Sequence, residues 1–473
     1  MSDEIAYMTA TDLIACYRKG ALSPSEVIEV VLARLEKLEP GLNAFQLVDA
    51  DAARAEAARS TDRWAKGEPC GALDGVPISI KDIVATAGWP TRSGSLATPE
   101  APGTFDAPCV ARLREAGAVL FGKTTTPEFG WKGMTDSPLK GVTRNPWNLA
   151  HTPGGSSGGA GAAMAAGIGA LAHGNDGGGS VRIPSSYCGL YGLKPTFGRV
   201  PHHPQDSPFS TLSASGPLAR SVADAALMLN EMARPDARDW YALPYDGRDY
   251  LADLDAGVAG LKIGLSTDLG GAEVVPEVLA IVTRAANKFA DLGAELTEVG
   301  PIIEPLRPVF ENYWLAGFGF TLSKVAPEKR DLLEPRFREL AEQGAAGSKE
   351  TAFAGMVARA ALGSEFNRFH ESYDLLLTPT MPTPPPTADT PYHSAQFDRW
   401  YHAVPFTVPF NLTGQPAASV PCGLTESALP VGLQIVGPRY SEALILRAMR
   451  AFEQAAPVAW PNPAIDASLN VIG

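Results

Sequence analysis

Val27, Ile28, Val31, Leu35 and Leu38 recur every three to four positions, the spacing of one face of a helix. Just upstream, Ser23-Pro24-Ser25-Glu26 reads as a capping box with proline at the first helical position. Glu39-Pro40-Gly41 is expected to stop this helix. Residues 49–66, rich in Ala and Arg, predict a second one. The period then shortens to two: Val76, Ile78 and Ile80 alternate with Pro77, Ser79 and Lys81, which predicts a strand. Next come a helix over 107–116, an apolar strand over 118–121, and a Gly-rich loop at 153–159 followed by a helix of small residues. Further helices are expected at 221–233, 276–292 and 441–455, and strands at 261–265, 374–377, 417–420 and 431–436. The stretch 301–372 reads mostly as helices. Prolines at 379, 382, 384, 385, 386 and 391 predict a rigid surface loop over 379–391. Strands alternating with helices imply an α/β fold built on a central sheet, and no segment of 20–50 residues repeats.

Composition narrows the class. The chain has 473 residues, 45% of them hydrophobic and 19% charged, with a mean hydropathy of −0.03. That balance fits a large packed core and not a disordered chain. The net charge of −13 and the absence of a Lys/Arg cluster disfavour nucleic acid and anionic membrane as partners. The most membrane-like run, 158–172, is mostly Ala and Gly and is too weakly apolar to span. Met1-Ser2-Asp3-Glu4 has no basic and apolar leader pattern, so no signal peptide is expected, and the cysteine usage points to a reducing cytoplasm. Five cysteines, at 16, 70, 109, 188 and 422, are odd in number, widely spaced and without C-x-x-C. They argue against a disulfide framework and against a Cys-based zinc site. Seven histidines include no H-E-x-x-H, and His202-His203 beside prolines reads as loop, so no metal and no cofactor is expected.

Three motifs compete for the chemistry. Gly117-Ala-Val-Leu-Phe-Gly122-Lys123-Thr124 fits the phosphate-loop pattern by letter. Its interior is itself strand-like, and Thr124-Thr125-Thr126-Pro127 after the lysine resists the helix that such a loop needs. Gly154-Gly155-Ser156-Ser157-Gly158 fits the nucleophile elbow of α/β hydrolases, with His370, His393 or His402 left as base. The polar residues 143–149 before it do not make the buried strand that an elbow follows. The third reading joins Lys81 at a strand end, the Ser156-Ser157 hydroxyls on a glycine turn, and Ser180 after Gly177-Gly178-Gly179. Glycines let backbone N–H groups crowd a reacting atom, and a lysine can serve as base only when burial keeps it neutral. Singly, each piece is bland: Lys81 could pair with Asp82, and the glycine–serine run could be a linker. Together in one chain they are not.

With these segments the chain resembles the amidase signature family of Ser-cisSer-Lys hydrolases. The resemblance runs from the N-terminal helices through Lys123, Asn145-Pro146-Trp147-Asn148 and residues 153–195 to Thr413-Gly414-Gln415-Pro416-Ala417 and 429–434. Lys81 to Ser156 is 75 positions and Ser156 to Ser180 is 24, as the family pattern requires. The resemblance implies a central mixed twisted sheet covered on both sides by helices. It implies one domain over 1–473: an N-terminal helical segment 1–66, a catalytic core 67–233, a variable pocket region 234–415 and a C-terminal return 416–473. By position it makes Ser180 the nucleophile, Ser156 the bridging serine in cis linkage to Gly155, Lys81 the base, Gly177, Gly178 and Gly179 the oxyanion hole, and Ser157 a supporting residue. Asp176–Arg182 would be a structural pair.

His173-Gly174-Asn175-Asp176 and the run of three glycines look like the free-standing bacterial hydrolases, among them aryl acylamidases and 6-aminohexanoate cyclic dimer hydrolase. They look less like the glutaminase subunit that charges tRNA. Phe129, Gly130 and Trp131 would line the substrate pocket, with Phe310, Tyr313, Trp314, Phe318 and Phe320 adding to it or merely packing in the core. The implied activity is hydrolysis of small apolar or aromatic amides, with esters and carbamates (urethanes) as further substrates, by a monomer or homodimer. The alternatives are an amidotransferase component that needs partner chains, a serine esterase using Ser156, a nucleotide-binding protein, and a silent homologue.

Overall fold

The computed structural model describes residues 2–304, 308–390, 400–460 and 462–472. The capping box forms: Ser23 Oγ accepts from Glu26 N at 3.2 Å, and the Glu26 carboxylate accepts from Ser23 N at 2.8 Å. The helix it starts, Pro24–Leu42, runs through Pro40 and ends where Asn43 turns left-handed at φ 51°. Pro40 does not stop it because a proline in the last turn forfeits only one bond, to the carbonyl of the exposed Glu36. Beyond it, the Glu39 carboxylate takes over the chain, accepting from Ala44 N and Phe45 N.

The strands in chain order are β1 Phe45–Val48, β2 Pro77–Lys81, β3 Val119–Thr124, β4 Asp136–Ser137, β5 Gly141–Val142, β6 Leu171–Asp176, β7 Tyr191–Lys194, β8 Ala214–Ala219, β9 Lys262–Leu265, β10 Glu295–Glu298, β11 Leu375–Pro379, β12 Ala417–Leu424 and β13 Pro430–Val436. Among the described residues, β4 and β5 pair alone and the others form one mixed sheet in the order β1-β3-β2-β6-β8-β7-β12-β13-β11-β9-β10. β2 lies parallel to both β3 and β6, whereas β6, β8, β7, β12, β13 and β11 succeed one another antiparallel.

Helices cover both faces. On one, Pro108–Glu115, Val222–Met232, Pro276–Asp291 and Glu442–Ala455 bury Val110, Met228, Phe289 and Phe452 against Ile78, Ile80 and Ile435. On the other, Pro24–Leu42 and Gly158–Ala165 pack on Val119, Phe121 and Ala172. A third apolar cluster joins the helices Pro308–Ser323, Pro335–Ala346 and Lys349–Phe369 to the edge of the core. The 301–372 stretch is thus mostly helical where it is described.

Two expectations change. β2 reads as alternating, yet all five of its residues are buried, because a strand parallel to neighbours on both sides is covered on both faces. The proline-rich 379–391 segment is not a simple surface loop. Thr380, Met381, Pro382, Pro385 and Ala388 are buried, and Pro386 O, Pro382 O and Ala388 N bond to Thr152, Val275 and Ala150. Pro391 and His393 lie outside the described residues. All five cysteines are free, and no described helix is long and apolar enough to cross a membrane.

Candidate active site

The parallel run β3-β2-β6 brings the carboxyl ends of three strands to one edge, where open α/β sheets place their sites. Lys81 ends β2 and has no exposed surface. Its Nζ donates to Ser156 Oγ at 2.7 Å and to the Asn175 carbonyl at 3.1 Å. Neither acceptor carries a charge. Burial pulls the lysine down to about 7, and the Asp176 carboxylate only partly opposes it.

Ser156 follows Gly154, at φ 81°, and Gly155, whose bond to Ser156 is cis. Gly155 is required by close approach: a Cβ there would sit 2.6 Å from the Met134 carbonyl oxygen. Ser156 Oγ donates to Ser180 Oγ at 3.0 Å, so Lys81, Ser156 and Ser180 form one chain of hydrogen bonds, all buried. Ser157 ties the two loops: its N–H donates to Ser180 O at 3.3 Å, and its hydroxyl lies 3.4 Å from both Asn175 N and Asn175 O. The helix Gly158–Ala165 starts at once and is wholly buried. Its small residues are dictated by contact, since a Cβ on Gly159 would meet Ala44 O at 2.5 Å.

β6 ends at Asp176, and Gly177–Ser180 turn into the helix Arg182–Cys188. The Asp176 carboxylate organises that turn. It accepts from Gly179 N at 2.7 Å, from Val181 N at 3.1 Å and from Arg182 Nε at 2.9 Å. Burial, the largest single influence, would raise its pKa, but the Arg182 guanidinium together with Lys194 and Asn411 outweighs it and holds the carboxyl well below the usual carboxylate range. Arg182 donates further to Gln434 Oε1 at 2.7 Å, Asn411 Oδ1 at 2.6 Å and Thr407 O at 3.0 Å. Asn411 Nδ2 returns to Asp176 O at 2.9 Å, and Thr407 Oγ1 donates to Gly178 O at 2.7 Å.

The three glycines therefore differ. Among the described residues the Gly177 and Gly178 amides have no acceptor, and both residues line the cleft. The Gly179 amide is already committed to Asp176, and Gly179 is not among the lining residues. Of the three oxyanion donors that the sequence predicts, the geometry leaves two open.

Ser156 and Ser180 open onto a cleft of about 710 Å³. Phe129, Gly130 and Trp131 line it, as do Trp314, Phe318 and Phe320. Phe310 and Tyr313 do not; they pack against the third apolar cluster, and the Tyr313 hydroxyl lies 3.4 Å from Thr211 Oγ1. Phe209 and Phe337 complete the aromatic wall and carry no local sequence signal.

The rival motifs fare differently. Gly122, Lys123 and Thr124 all belong to strand β3, and Lys123 Nζ is spent on Val84 O at 2.7 Å and Thr91 Oγ1 at 3.1 Å. Ser156 has no histidine partner among the described residues; His370 Nδ1 contacts its neighbour Tyr373 O instead. The described residues hold no group of three or more His, Cys, Asp or Glu placed to bind a metal ion.

A family model described as Amidase matches residues 26–446. An acylamidase of Rhodococcus erythropolis is 36% identical over 97% of this chain and 97% of its own length. The glutamyl-tRNA(Gln) amidotransferase of Synechococcus sp. (strain CC9605) has one component that is 37% identical over 94% of this chain and 96% of its own length. The crystal structure of a bacterial aryl acylamidase of the amidase signature family superposes with a TM-score of 0.90 at 30% identity, covering 98% of both chains. Family model, relatives and fold agree over nearly the whole length, and the chain belongs to the amidase family, the amidase signature enzymes.

Proposed function

We propose that the protein hydrolyses small neutral amides carrying an aromatic or apolar group, through an acyl-enzyme on Ser180. One observation carries the reading: the unbroken Lys81–Ser156–Ser180 hydrogen-bond chain, at the edge of an aromatic cleft with two open glycine amides. Neutral Lys81 keeps one N–H on Asn175 O and offers its lone pair to the Ser156 proton. Both hydroxyls rotate so that Ser180 donates to Ser156 and Ser156 to Lys81; Ser156 then takes the proton of Ser180, whose Oγ attacks the carbonyl carbon. The Gly177 and Gly178 amides meet the oxyanion that forms, each such donor contributing about 3 kcal/mol in comparable sites. The proton then returns along the chain to the leaving nitrogen, the C–N bond breaks, and water cleaves the Ser180 ester by the same relay. Esters and carbamates present the same carbonyl and are further substrates.

The likeness to the tRNA amidotransferase component favours a second reading, glutamine as substrate. Glutamine would need charged partners for its α-ammonium and α-carboxylate. Lys132, beside Trp131 at the cleft, is already paired with Asp136 and Glu334. Labelling with a fluorophosphonate tests the mechanism: an adduct is expected on Ser180, and it should be lost in Lys81→Ala. Steady-state assays test the substrate class. Faster hydrolysis of free glutamine than of 4-nitroacetanilide would reject the aromatic amide reading.

A further inference from the structure

We propose that Glu334 is a positioning residue for the substrate wall: its carboxylate fixes the Trp131 indole in the cleft and so sets the preference for aromatic over small substrates. The inference rests on the amide-hydrolase reading above.

Glu334 sits immediately before the helix Pro335–Ala346, where a Ser, Thr, Asp or Asn would accept from the first N–H groups of the helix. It makes no such cap. One carboxylate oxygen accepts from Trp131 Nε1 at 2.8 Å and the other from Lys132 Nζ at 2.7 Å. The backbone of the same residue adds a third tie, Glu334 N to Glu128 Oε2 at 2.7 Å, and Ser95 Oγ secures the other Glu128 oxygen at 2.6 Å. Residue 334 thus grips Glu128, Trp131 and Lys132, a segment some 200 positions earlier in the chain. Glu128 has no exposed surface, and Lys132 and Glu334 expose only 4% and 18% of their side chains, so water competes weakly for these bonds.

What is held is the cleft wall. Trp131 meets Phe318 edge-on at 6.4 Å and lies 6.5 Å from Phe337, and all three rings line the cleft. Phe337 is on the helix that Glu334 starts, so one residue registers both rings against each other. The wall is also close to the chemistry. A Cβ on Gly130, next to Trp131, would lie 3.1 Å from Ser156 Oγ. Without its acceptor, the indole N–H must find a new partner, and the ring leaves the orientation in which Phe318 and Phe337 pack on it.

The test compares 4-nitroacetanilide with acetamide, which lacks the ring, in Glu334→Ala, Glu334→Gln, Trp131→Phe and the double variant Trp131→Phe/Glu334→Ala. In Glu334→Ala, KM for the anilide should rise about tenfold while kcat/KM for acetamide stays within about twofold. Glu334→Gln keeps an acceptor for the indole and should restore most of the ratio. On the Trp131→Phe background, Glu334→Ala should change the ratio no further, because the bond is already gone. An unchanged ratio in Glu334→Ala, or full additivity in the double variant, would show that Glu334 serves stability alone and overturn the proposal. A wild-type protein that cleaves neither amide overturns the functional reading and this one with it.

Discussion

The strongest test of the proposed mechanism is the charge on Lys81. Its Nζ is fully buried among Ser156 Oγ and Asn175 O, and burial brings it to about 7. At the ordinary value of 10.5, only about one lysine in three thousand would be neutral at pH 7; at about 7, roughly half are. The fold thus raises the share of competent base about a thousandfold. kcat/KM should climb with pH through an apparent pKa near 7, level off about one to two units higher, and stand at about one hundredth of its plateau at pH 5. Lys81→Arg should be inactive at every pH up to 9, since guanidinium does not give up its proton.

The same shift sets a stability signature. Between about 7 and 10.5 the unfolded lysine holds a proton that the folded one has lost, so wild-type stability rises with pH across that window. Below about 7 both forms are charged and the burial cost of the ammonium is fully present. Lys81→Met should abolish this rise, be more stable than wild type at pH 6, and lose about 10³-fold or more in kcat/KM. The assay is the pH profile of kcat/KM on an anilide, beside denaturant unfolding of both proteins at pH 6 and 9. A profile flat down to pH 5, or a Met variant less stable than wild type at pH 6, would refute the neutral-lysine argument.

Ser156→Ala removes the bridge between base and nucleophile and leaves the aromatic side of the cleft intact. It should cost about 10²–10⁴ in kcat/KM with an unchanged melting temperature, read by calorimetry beside the assay. Gly178→Ala puts a methyl 3.3 Å from the Trp314 ring and 3.7 Å from Val408, so kcat should fall about tenfold on anilides with little loss of stability. Gly344→Ala drives a methyl into the Leu315 carbonyl between the helices Pro308–Ser323 and Pro335–Ala346. It should cost about 1–3 kcal/mol in unfolding free energy while Ser180 remains open to a small fluorophosphonate.

What the sequence made legible was whatever is written locally. Ser156 and Ser180 stand out because each lies in a short run of glycine and serine that ordinary helices and strands avoid, Lys81 because it ends an alternating strand, and the fold brings the three together. The capping box at Ser23 is equally local. Strands β6 and β8 were not legible. LAHGND and ASGPLA lack an apolar alternation, because both are buried in mid-sheet and fit small or polar side chains against the glycine loops. The partners of the Asp176–Arg182 pair were missed for another reason. Thr407, Asn411 and Gln434 meet it from more than 220 positions away; Gln434 closes the 429–434 run that carries the resemblance, but nothing local says that any of the three reaches Arg182. Phe209, Phe337 and Glu334 are the same case: a cleft wall assembled by tertiary packing leaves no pattern in one dimension.

Asp176 shows how the site reconciles two opposed requirements. The glycine turn needs a carboxylate to hold Gly179 N and Val181 N, yet a negative charge near Lys81 favours the protonated amine that the relay cannot use. Arg182 resolves this by pairing both Asp176 oxygens, at 2.9 and 3.0 Å, so most of the carboxylate's field is spent within the pair. Asp176→Asn exposes the balance. It deletes the charge that raises Lys81 and leaves Arg182 uncompensated, and both changes push the lysine lower. The acid limb of the kcat/KM profile should therefore move below its wild-type position near 7 even as the plateau falls with the loosened turn, and removing one partner of a buried pair should cost about 3–5 kcal/mol of stability. A plateau that falls while the limb stays in place would mean that Asp176 shapes the turn without acting on the base.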